Sequence, residues 1–415
     1  MGEQDVFVPF RPLLDDPRAR MMVCELISHG ENHVGPKPVA ALVLGAAFLA
    51  AACGSSPSPA PTAIPGASSL PAAATAAPSW TAAPAPSGAV APLLSVTALP
   101  GGIEPVDVSS GRVLYQSETG SSGVLNLATG SRDVLPALTG GRRFAAGLLA
   151  GTIAAGGAYT VAPDGSIAAQ SALAFDLAAR RFLDIGAALG HPALSYVLGA
   201  DGATVVGMAS DGQGTEPTRA YLYDVATGRV TIMPGLPDGY GVPQPLAVSG
   251  RYVVGNDGTP AGGFVYDIVD GRYTMLWDLL GTHRVEAVAV DGNVVVGGAL
   301  PIGASDFSPF VYDLGAGLRS VSPIPMPGFT ARAVDGTRVL LRSAASVGLG
   351  PGWVFRTDTM TGIPLDQVRD PGSATGTSAV DPIAISGGWV LGRVVDAAST
   401  GGPLRMVLIA IPPAN

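Results

Sequence analysis

From about Ala89 onward, short apolar runs of Val, Leu, Ile and Tyr alternate with glycine-marked breaks, which predicts many short strands joined by tight turns. Glycine and proline recur too densely for long helices. One unit repeats. It reads Ala-Val-(Ser/Asp)-Gly, an apolar strand ending near Gly, a variable loop, an aromatic strand ending in Tyr-Asp-x-x-x-Gly, and a further strand. Ala247-Val-Ser-Gly-Arg-Tyr-Val-Val-Gly255 matches Ala289-Val-Asp-Gly-Asn-Val-Val-Val-Gly297, and Tyr223-Asp224, Tyr266-Asp267 and Tyr312-Asp313 mark the second anchor. The first anchor recurs at Gly111, Gly151, Gly202, Gly250, Gly292, Gly336 and Gly387, and the second at Asn126, Asp176, Asp224, Asp267, Asp313 and Asp358. The second anchors are spaced by about 46 residues on average, enough for four short strands per unit.

Each anchor has a physical reason. A Ser-Gly or Asp-Gly pair between two strands makes a tight hairpin, because Gly accepts a positive φ. In Asp-x-x-x-Gly the carboxylate accepts turn amides, and Asn126 can do the same. Asn126, Asp176, Asp224, Asp267, Asp313 and Asp358 are therefore read as turn formers rather than catalysts. Arg180 stands where the second unit should have Gly, so an irregular turn is expected there.

The ends complete the pattern. The seventh unit stops at Pro412-Pro413 without a fourth strand, while an orphan strand, Leu93-Leu-Ser-Val-Thr-Ala-Leu99, precedes the first unit. The expected fold is all-β: a seven-bladed β-propeller of four-stranded blades, closed by that N-terminal strand completing the last blade. The motif Ala-Val-Ser-Gly…Val-Val-Gly…Phe-x-Tyr-Asp resembles the HAF-type extracellular repeats, and more loosely the kelch and WD40 propellers. The resemblance spans residues 89–415 and implies an architecture without a known catalytic set. Kelch Gly-Gly doublets are not regular, and Trp277-Asp278 is a lone WD pair.

The segment before the repeats differs. Val39–Ala52 is an uncharged apolar run, too short to span a bilayer comfortably but suited to a signal-peptide core. Small residues lead into Cys53, with Leu49 and Ala50 upstream and Gly54-Ser55-Ser56 after it. This resembles the bacterial lipobox, which implies cleavage before Cys53 and lipidation of its thiol. Residues 54–88 contain eight prolines and no charge, an extended tether that could reach on the order of 100 Å at polyproline rise. Acidic residues among 1–33, including Asp15 and Glu25, do not suit a signal peptide, so that stretch is expected to be a misassigned or disordered extension. The expected organisation is 1–33 extension, 34–53 signal peptide with lipobox, 54–88 tether and 89–415 propeller. The expected location is the outer face of a membrane in the cell envelope, reached by export and held by lipid on Cys53.

Charge narrows the function. The chain carries 23 basic and 32 acidic residues, a net charge of −9, and Lys37 is its one lysine. A net acidic chain without a basic stripe is a poor nucleic-acid binder. Without another lysine there is no P-loop or Schiff base in the repeats. His191 and His283 are too far apart for a zinc-protease motif, no Gly-x-Ser-x-Gly occurs, and Gly348-Leu-Gly-Pro-Gly352 reads as a loop. Asp211 and Glu216 share one loop whose carboxylates could ligate calcium, and a solvated loop is the preferred reading. No cofactor and no metal are expected.

Propellers bind at the loops between blades. Here these loops hold Tyr240, His283, Arg284 and Arg332, a mix of aromatic and arginine side chains suited to recognition. The expected function is a monomeric, lipid-anchored binding or scaffold module for a protein or glycan. The alternative is a propeller hydrolase or lyase using carboxylates at the central channel, so an enzyme is the less expected class.

Overall fold

The computed structural model describes residues 94–412, apart from loop stretches at 118–119, 163–166, 212–217, 238–240, 259–261, 278–281, 283, 301–303, 305, 316–320, 325, 327, 344–351, 371–372, 374–376 and 396–404. The expected leader, Cys53 and the tether thus lie outside the described residues. Two compact units are distinguished, Met1–Thr75 with Val161–Ile167, and Ala76–Thr160 with Ala168–Asn415. Of the first, only residues 161, 162 and 167 are described, at the ends of two strands. The second is treated below. Among the described residues no helix is long and apolar enough to cross a membrane.

The described chain is nearly all β. After β1 (Val96–Ala98) come β2 (Ile103–Ser109), β3 (Arg112–Ser117), β4 (Ser122–Asn126) and β5 (Arg132–Val134), an antiparallel meander in chain order. A second meander follows as β6 (Arg143–Ala150), β7 (Ile153–Val161), β8 (Ile167–Asp176) and β9 (Arg181–Asp184). After a single-turn helix, α1 (Ile185–Ala188), the third is β10 (Leu194–Ala200), β11 (Thr204–Ser210), β12 (Arg219–Asp224) and β13 (Val230–Ile232). The fourth is β14 (Gln244–Ser249), β15 (Tyr252–Asn256), β16 (Gly263–Asp267) and β17 (Arg272–Met275). The fifth is β18 (Arg284–Asp291), β19 (Val294–Leu300), β20 (Ser308–Asp313) and β21 (Val321–Pro323). The sixth is β22 (Phe329–Asp335), β23 (Arg338–Ser343), β24 (Gly352–Arg356) and β25 (Thr361–Pro364). The last sheet holds the short β26 (Val368–Arg369), β27 (Thr377–Ser386), β28 (Trp389–Val395) and β29 (Met406–Ala410), with β26 at the edge beside β27. Its outer member is β1, with Val96, Thr97 and Ala98 antiparallel to Ile409, Leu408 and Val407. Pro100 and Pro412 follow β1 and β29, and a proline cannot donate to a continuing ladder.

Apolar side chains alternate along each strand and meet across successive sheets. Val106 and Leu114 of the first meander pack with Phe144 and Leu173 of the second. Equivalent cores join second to third, third to fourth, fourth to fifth, fifth to sixth and sixth to last. A further one joins Leu391 and Leu408 of the last sheet to Val108 and Tyr115 of the first meander. Full burial of each such Val or Leu is worth about 1.5–3 kcal/mol.

The first strand of every set carries a β-bulge at one position: between Pro105 and Asp107, Ala146 and Leu148, Val197 and Gly199, Pro245 and Ala247, Ala287 and Ala289, Ala331 and Ala333, and Pro382 and Ala384. In several sets a first-strand carbonyl before the bulge comes so close to the second strand that the facing residue must lack a side chain. A Cβ on Gly297 would lie 1.9 Å from Glu286 O, and one on Gly255 2.0 Å from Gln244 O. The glycine ending each Val-Val-Gly run is thus a close-approach site.

The hairpin between the first two strands is pinned twice. Within a sheet, its carbonyl accepts from the amide that opens the next turn, as in Ile268 N–H to Arg251 O (2.8 Å) and Leu314 N–H to Asn293 O (2.8 Å). Between sheets, the Ser or Asp before the hairpin accepts from the next hairpin. Gly151 N–H donates to Ser109 Oγ (3.1 Å), Gly250 N–H to Asp201 Oδ2 (2.7 Å), Gly292 N–H to Ser249 Oγ (2.9 Å), and Gly336 N–H to Asp291 Oδ2 (2.6 Å). Gly388 N–H donates to Asp335 Oδ2 (3.2 Å), and Ser110 N–H to Ser386 Oγ (3.3 Å), the last of these joining last sheet to first. The exception lies between the second and third meanders, where Ala150 offers no side-chain oxygen. There Ala155, Ala172, Ala174 and Ala209 line the core. Their small size lets β8 and β10 approach closely enough for a direct bridge, Leu194 to Gln170, with Ala172 N–H donating to Ser195 Oγ (2.8 Å).

Three anchors differ from the sequence reading. In the first meander the strand register gives the hairpin position of Gly250 to Ser110, at φ 49°, rather than to Gly111. In the sixth, Arg356 pairs with Thr361 as Asp267 pairs with Arg272, so Arg356 ends the strand and Asp358 sits two residues into the turn. The turn at Arg180 is not irregular. Arg180 itself takes φ 56°, Asp176 Oδ1 accepts from Ala178 and Ala179 N–H (2.9 and 3.1 Å), and the guanidinium stacks on Phe175 and pairs with Asp133.

Ala150→Ser should add the missing acceptor for the hairpin at Gly202 and raise stability by about 0.5–1.5 kcal/mol. Asp291→Ala should lower it by about 1–3 kcal/mol. Urea-denaturation midpoints check both, and midpoints equal to the parent's would count against the inter-hairpin bonds.

Candidate functional site

The two ends of the sheets differ in chemistry. One end gathers the tight hairpins. Its carboxylates serve the backbone: Asp224 Oδ1 accepts from Thr227 N–H (2.8 Å), Asp267 Oδ1 from Val269 and Asp270 N–H (3.0 and 3.2 Å), Asp313 Oδ1 from Gly315 N–H (2.8 Å), and Asn126 Oδ1 from Ala128 N–H (2.9 Å). The Thr227 amide holds the Asp224 carboxyl below its usual range. At Asp267 burial pushes the carboxyl up, but the Arg251 guanidinium and the turn amides together outweigh it and hold it low. The Arg356 guanidinium does the same for Asp358. Such carboxylates favour the ionised form and suit turn formation rather than proton donation.

The opposite end gathers the starts of the first strands and the longer loops. Arg284, at the start of β18, lays its guanidinium over the Phe307 ring, 5.2 Å from the centroid. Phe307 in turn lies against Gly298, where a Cβ would meet the ring at 3.1 Å. Glu286 sits opposite Gly298 in the ladder. Gly298, Phe307 and Arg284 thus form a stack that places the guanidinium over the ring. Arg332 is the extra residue in the β22 bulge, half-buried, one meander further on. A bulge there re-aims a side chain relative to the regular ladder.

Ion pairs flank this end. Arg219 pairs with Asp211 (3.1 Å) and Arg342 with Asp381 (2.8 Å), the latter between the sixth meander and the last sheet. Asp370, fully buried, accepts from Nη1 and Nη2 of Arg405 and from the Ser378 hydroxyl (2.7 Å). Asp211 thus faces an arginine, and Glu216 lies outside the described residues. Among the described residues no group of three or more His, Cys, Asp and Glu could hold a metal.

Of the four recognition candidates, Arg284 and Arg332 lie on first strands of adjacent meanders, whose β18 and β22 are in contact. Tyr240 and His283 lie outside the described residues. Sequence reasoning missed Phe307, which reads as one more strand aromatic until its ring is seen against Gly298 and Arg284. It also missed the Arg342–Asp381 and Arg405–Asp370 pairs, whose partners are dozens of residues apart.

No family model and no curated protein matches the chain. Among solved structures it is similar to an oligogalacturonate lyase from Vibrio parahaemolyticus, at 12% identity and TM-score 0.47, covering 77% of this chain and 98% of that one. It is also similar to the β-propeller domain of the Trilobed protease from Pyrococcus furiosus, at 10% identity and TM-score 0.35, covering 76% and 83%. A third is BamB from Moraxella catarrhalis, at 13% identity and TM-score 0.33, covering 75% and 82%.

The depressed carboxyl of Asp224 makes the hairpin end acid-sensitive. Its folded-state value lies below the unfolded one, about 3.9, so its stabilisation is complete above that pH and fades as pH falls through the folded value. Urea midpoints at pH 7 and pH 3 should show a smaller acid loss in Asp224→Asn, which keeps the acceptor without titrating. An unchanged acid loss would contradict it.

Proposed function

We propose that the chain is an exported, lipid-anchored seven-bladed β-propeller whose loop end binds a protein or glycan. Cys53 would carry the lipid and residues 54–88 the tether. Each meander would be a blade, with the last blade closed by β1 on β29. Support for closure comes from the core and the hairpin bond that join last sheet to first. Closure removes sheet edges that would otherwise remain unpaired.

The observation that carries the binding role is the Arg284–Phe307–Gly298 stack. It places an arginine guanidinium over an aromatic ring at one site, residue types enriched where binding energy concentrates. Arg332 lies on the adjacent first strand, at the mid-strand bulge. The alternative of a hydrolase or lyase needs carboxylates available to substrate, whereas Asp370 and Asp381 are engaged by Arg405 and Arg342.

Envelope proteins and a glycan array should be screened with the protein and with Arg284→Ala and Phe307→Ala. Each variant should lose about tenfold or more in affinity for the captured ligand at unchanged melting temperature. In cells, Cys53→Ser should move the protein from the membrane to the soluble fraction. Capture indifferent to both loop-end substitutions would overturn the site, and membrane retention of Cys53→Ser would overturn the anchor.

A further inference from the structure

A second site lies on the first meander, away from the loop-end stack. Tyr115, Gly123 and Val134 are in register across β3, β4 and β5, and Arg132 lies two residues from Val134. Ser117 pairs with Ile103 two residues beyond Tyr115. Residues two apart share a face of a strand, so these side chains line one side of the sheet. The inner part of that side is covered by Leu391 and Leu408 of the last sheet. The outer part is more open, although Leu99 also packs against this cluster. Val134 is accordingly 58% exposed.

Gly123 shapes what is left. A Cβ there would lie 2.4 Å from the Tyr115 Oη, so the absence of a side chain lets the phenol ring lie across the strand. The result is a cleft of about 250 Å³ lined by Ile103, Tyr115, Ser117, Ser121, Arg132 and Val134. That is below the usual size for drug-like ligands and suits a single sugar-sized ring. Its chemistry is mixed. Ile103 and Val134 provide apolar walls, while Ser121 and Tyr115 add hydroxyls. Ser117 Oγ accepts from Ser121 N–H (3.1 Å), which fixes one hydroxyl at the floor. Arg132 is exposed and has no ion-pair partner among the described residues. A guanidinium is planar and matches a carboxylate with two parallel hydrogen bonds.

We propose that this cleft binds a small carboxylate bearing neighbouring hydroxyls and an apolar ring face, the chemistry of a sugar acid. Arg132 takes the carboxylate, the serine and tyrosine hydroxyls take the ring hydroxyls, and Ile103 and Val134 pack against the C–H face. The site shares no residue with the Arg284–Phe307–Gly298 stack proposed above.

The full-length protein is titrated by NMR with glucuronate, glucose, acetate and inorganic phosphate. Glucuronate should bind with millimolar affinity, and glucose and acetate about tenfold more weakly or worse, since each lacks half of the contacts. Methyl glucuronoside as a further arm separates the sources: equal binding assigns the end of a glycan chain, weaker binding a free sugar acid. Arg132→Gln should cut glucuronate affinity about tenfold, with Arg132→Lys recovering part of it. Val134→Trp, which fills the cleft from an exposed position, should abolish binding at unchanged melting temperature. Arg284→Ala should leave it intact, so failure here is distinct from failure of the loop-end site. Glucuronate binding no better than glucose, phosphate binding tighter than glucuronate, or indifference to both the Arg132→Gln and Val134→Trp changes would overturn the proposal.

Discussion

The hydrogen bond from one hairpin amide to the Ser or Asp side chain before the preceding hairpin is the constraint on which the architecture depends. A four-stranded meander has apolar faces that any other apolar surface could cover. Hydrophobic packing is non-directional and fixes neither the angle nor the height at which two sheets meet. A 2.6–3.3 Å bond between hairpin tips fixes both. It also explains why the dipeptide is Ser-Gly or Asp-Gly. The first residue supplies the acceptor, and the second supplies the donor on a backbone that turns sharply enough to present it.

The same economy explains the contrast between the two ends. At the hairpin end the turn aspartates and Asn126 spend a side-chain oxygen on backbone amides. Midway along the first strands the bulges interrupt the ladder at the same level in every set. Amides freed there are met by neighbours, as Ala287 N–H is by Asn256 Oδ1 (3.1 Å). Longer loops can then vary without disturbing the sheets, and the stacked Arg284 projects from the start of a rigid strand. Sites held on strands are better positioned than sites held on loops alone.

Much of the strand plan was legible in the sequence, because alternation and turn residues act locally. The repeat Ala-Val-(Ser/Asp)-Gly located the hairpins, and the orphan apolar segment before the first unit is the strand found on β29. What misled was register. Ser109-Ser110-Gly111 contains two candidate turn residues, and only pairing across β2 and β3 shows that Ser110 takes the first hairpin position. Asp358 looked like the other turn aspartates, yet Arg356 holds their place and turns toward it. Arg180 showed that a non-glycine residue can occupy a positive-φ site when stacking on Phe175 and an ion pair to Asp133 offset the strain. The Phe307 stack and the Tyr115 cleft could not be read at all. Each arises because a glycine on a neighbouring strand, Gly298 or Gly123, leaves space that only the folded sheet reveals.

Amide hydrogen exchange on the hairpin residues tests the central constraint most directly. Ser110, Gly250, Gly292 and Gly336 lie exposed at hairpin tips, where an amide without a partner would exchange at nearly the rate of an unstructured chain. If the side-chain acceptors bind them as described, these amides should exchange markedly more slowly than an unstructured chain, Ser110 at the junction of last and first sheets included. Rapid exchange at Ser110 together with the glycines would contradict the account.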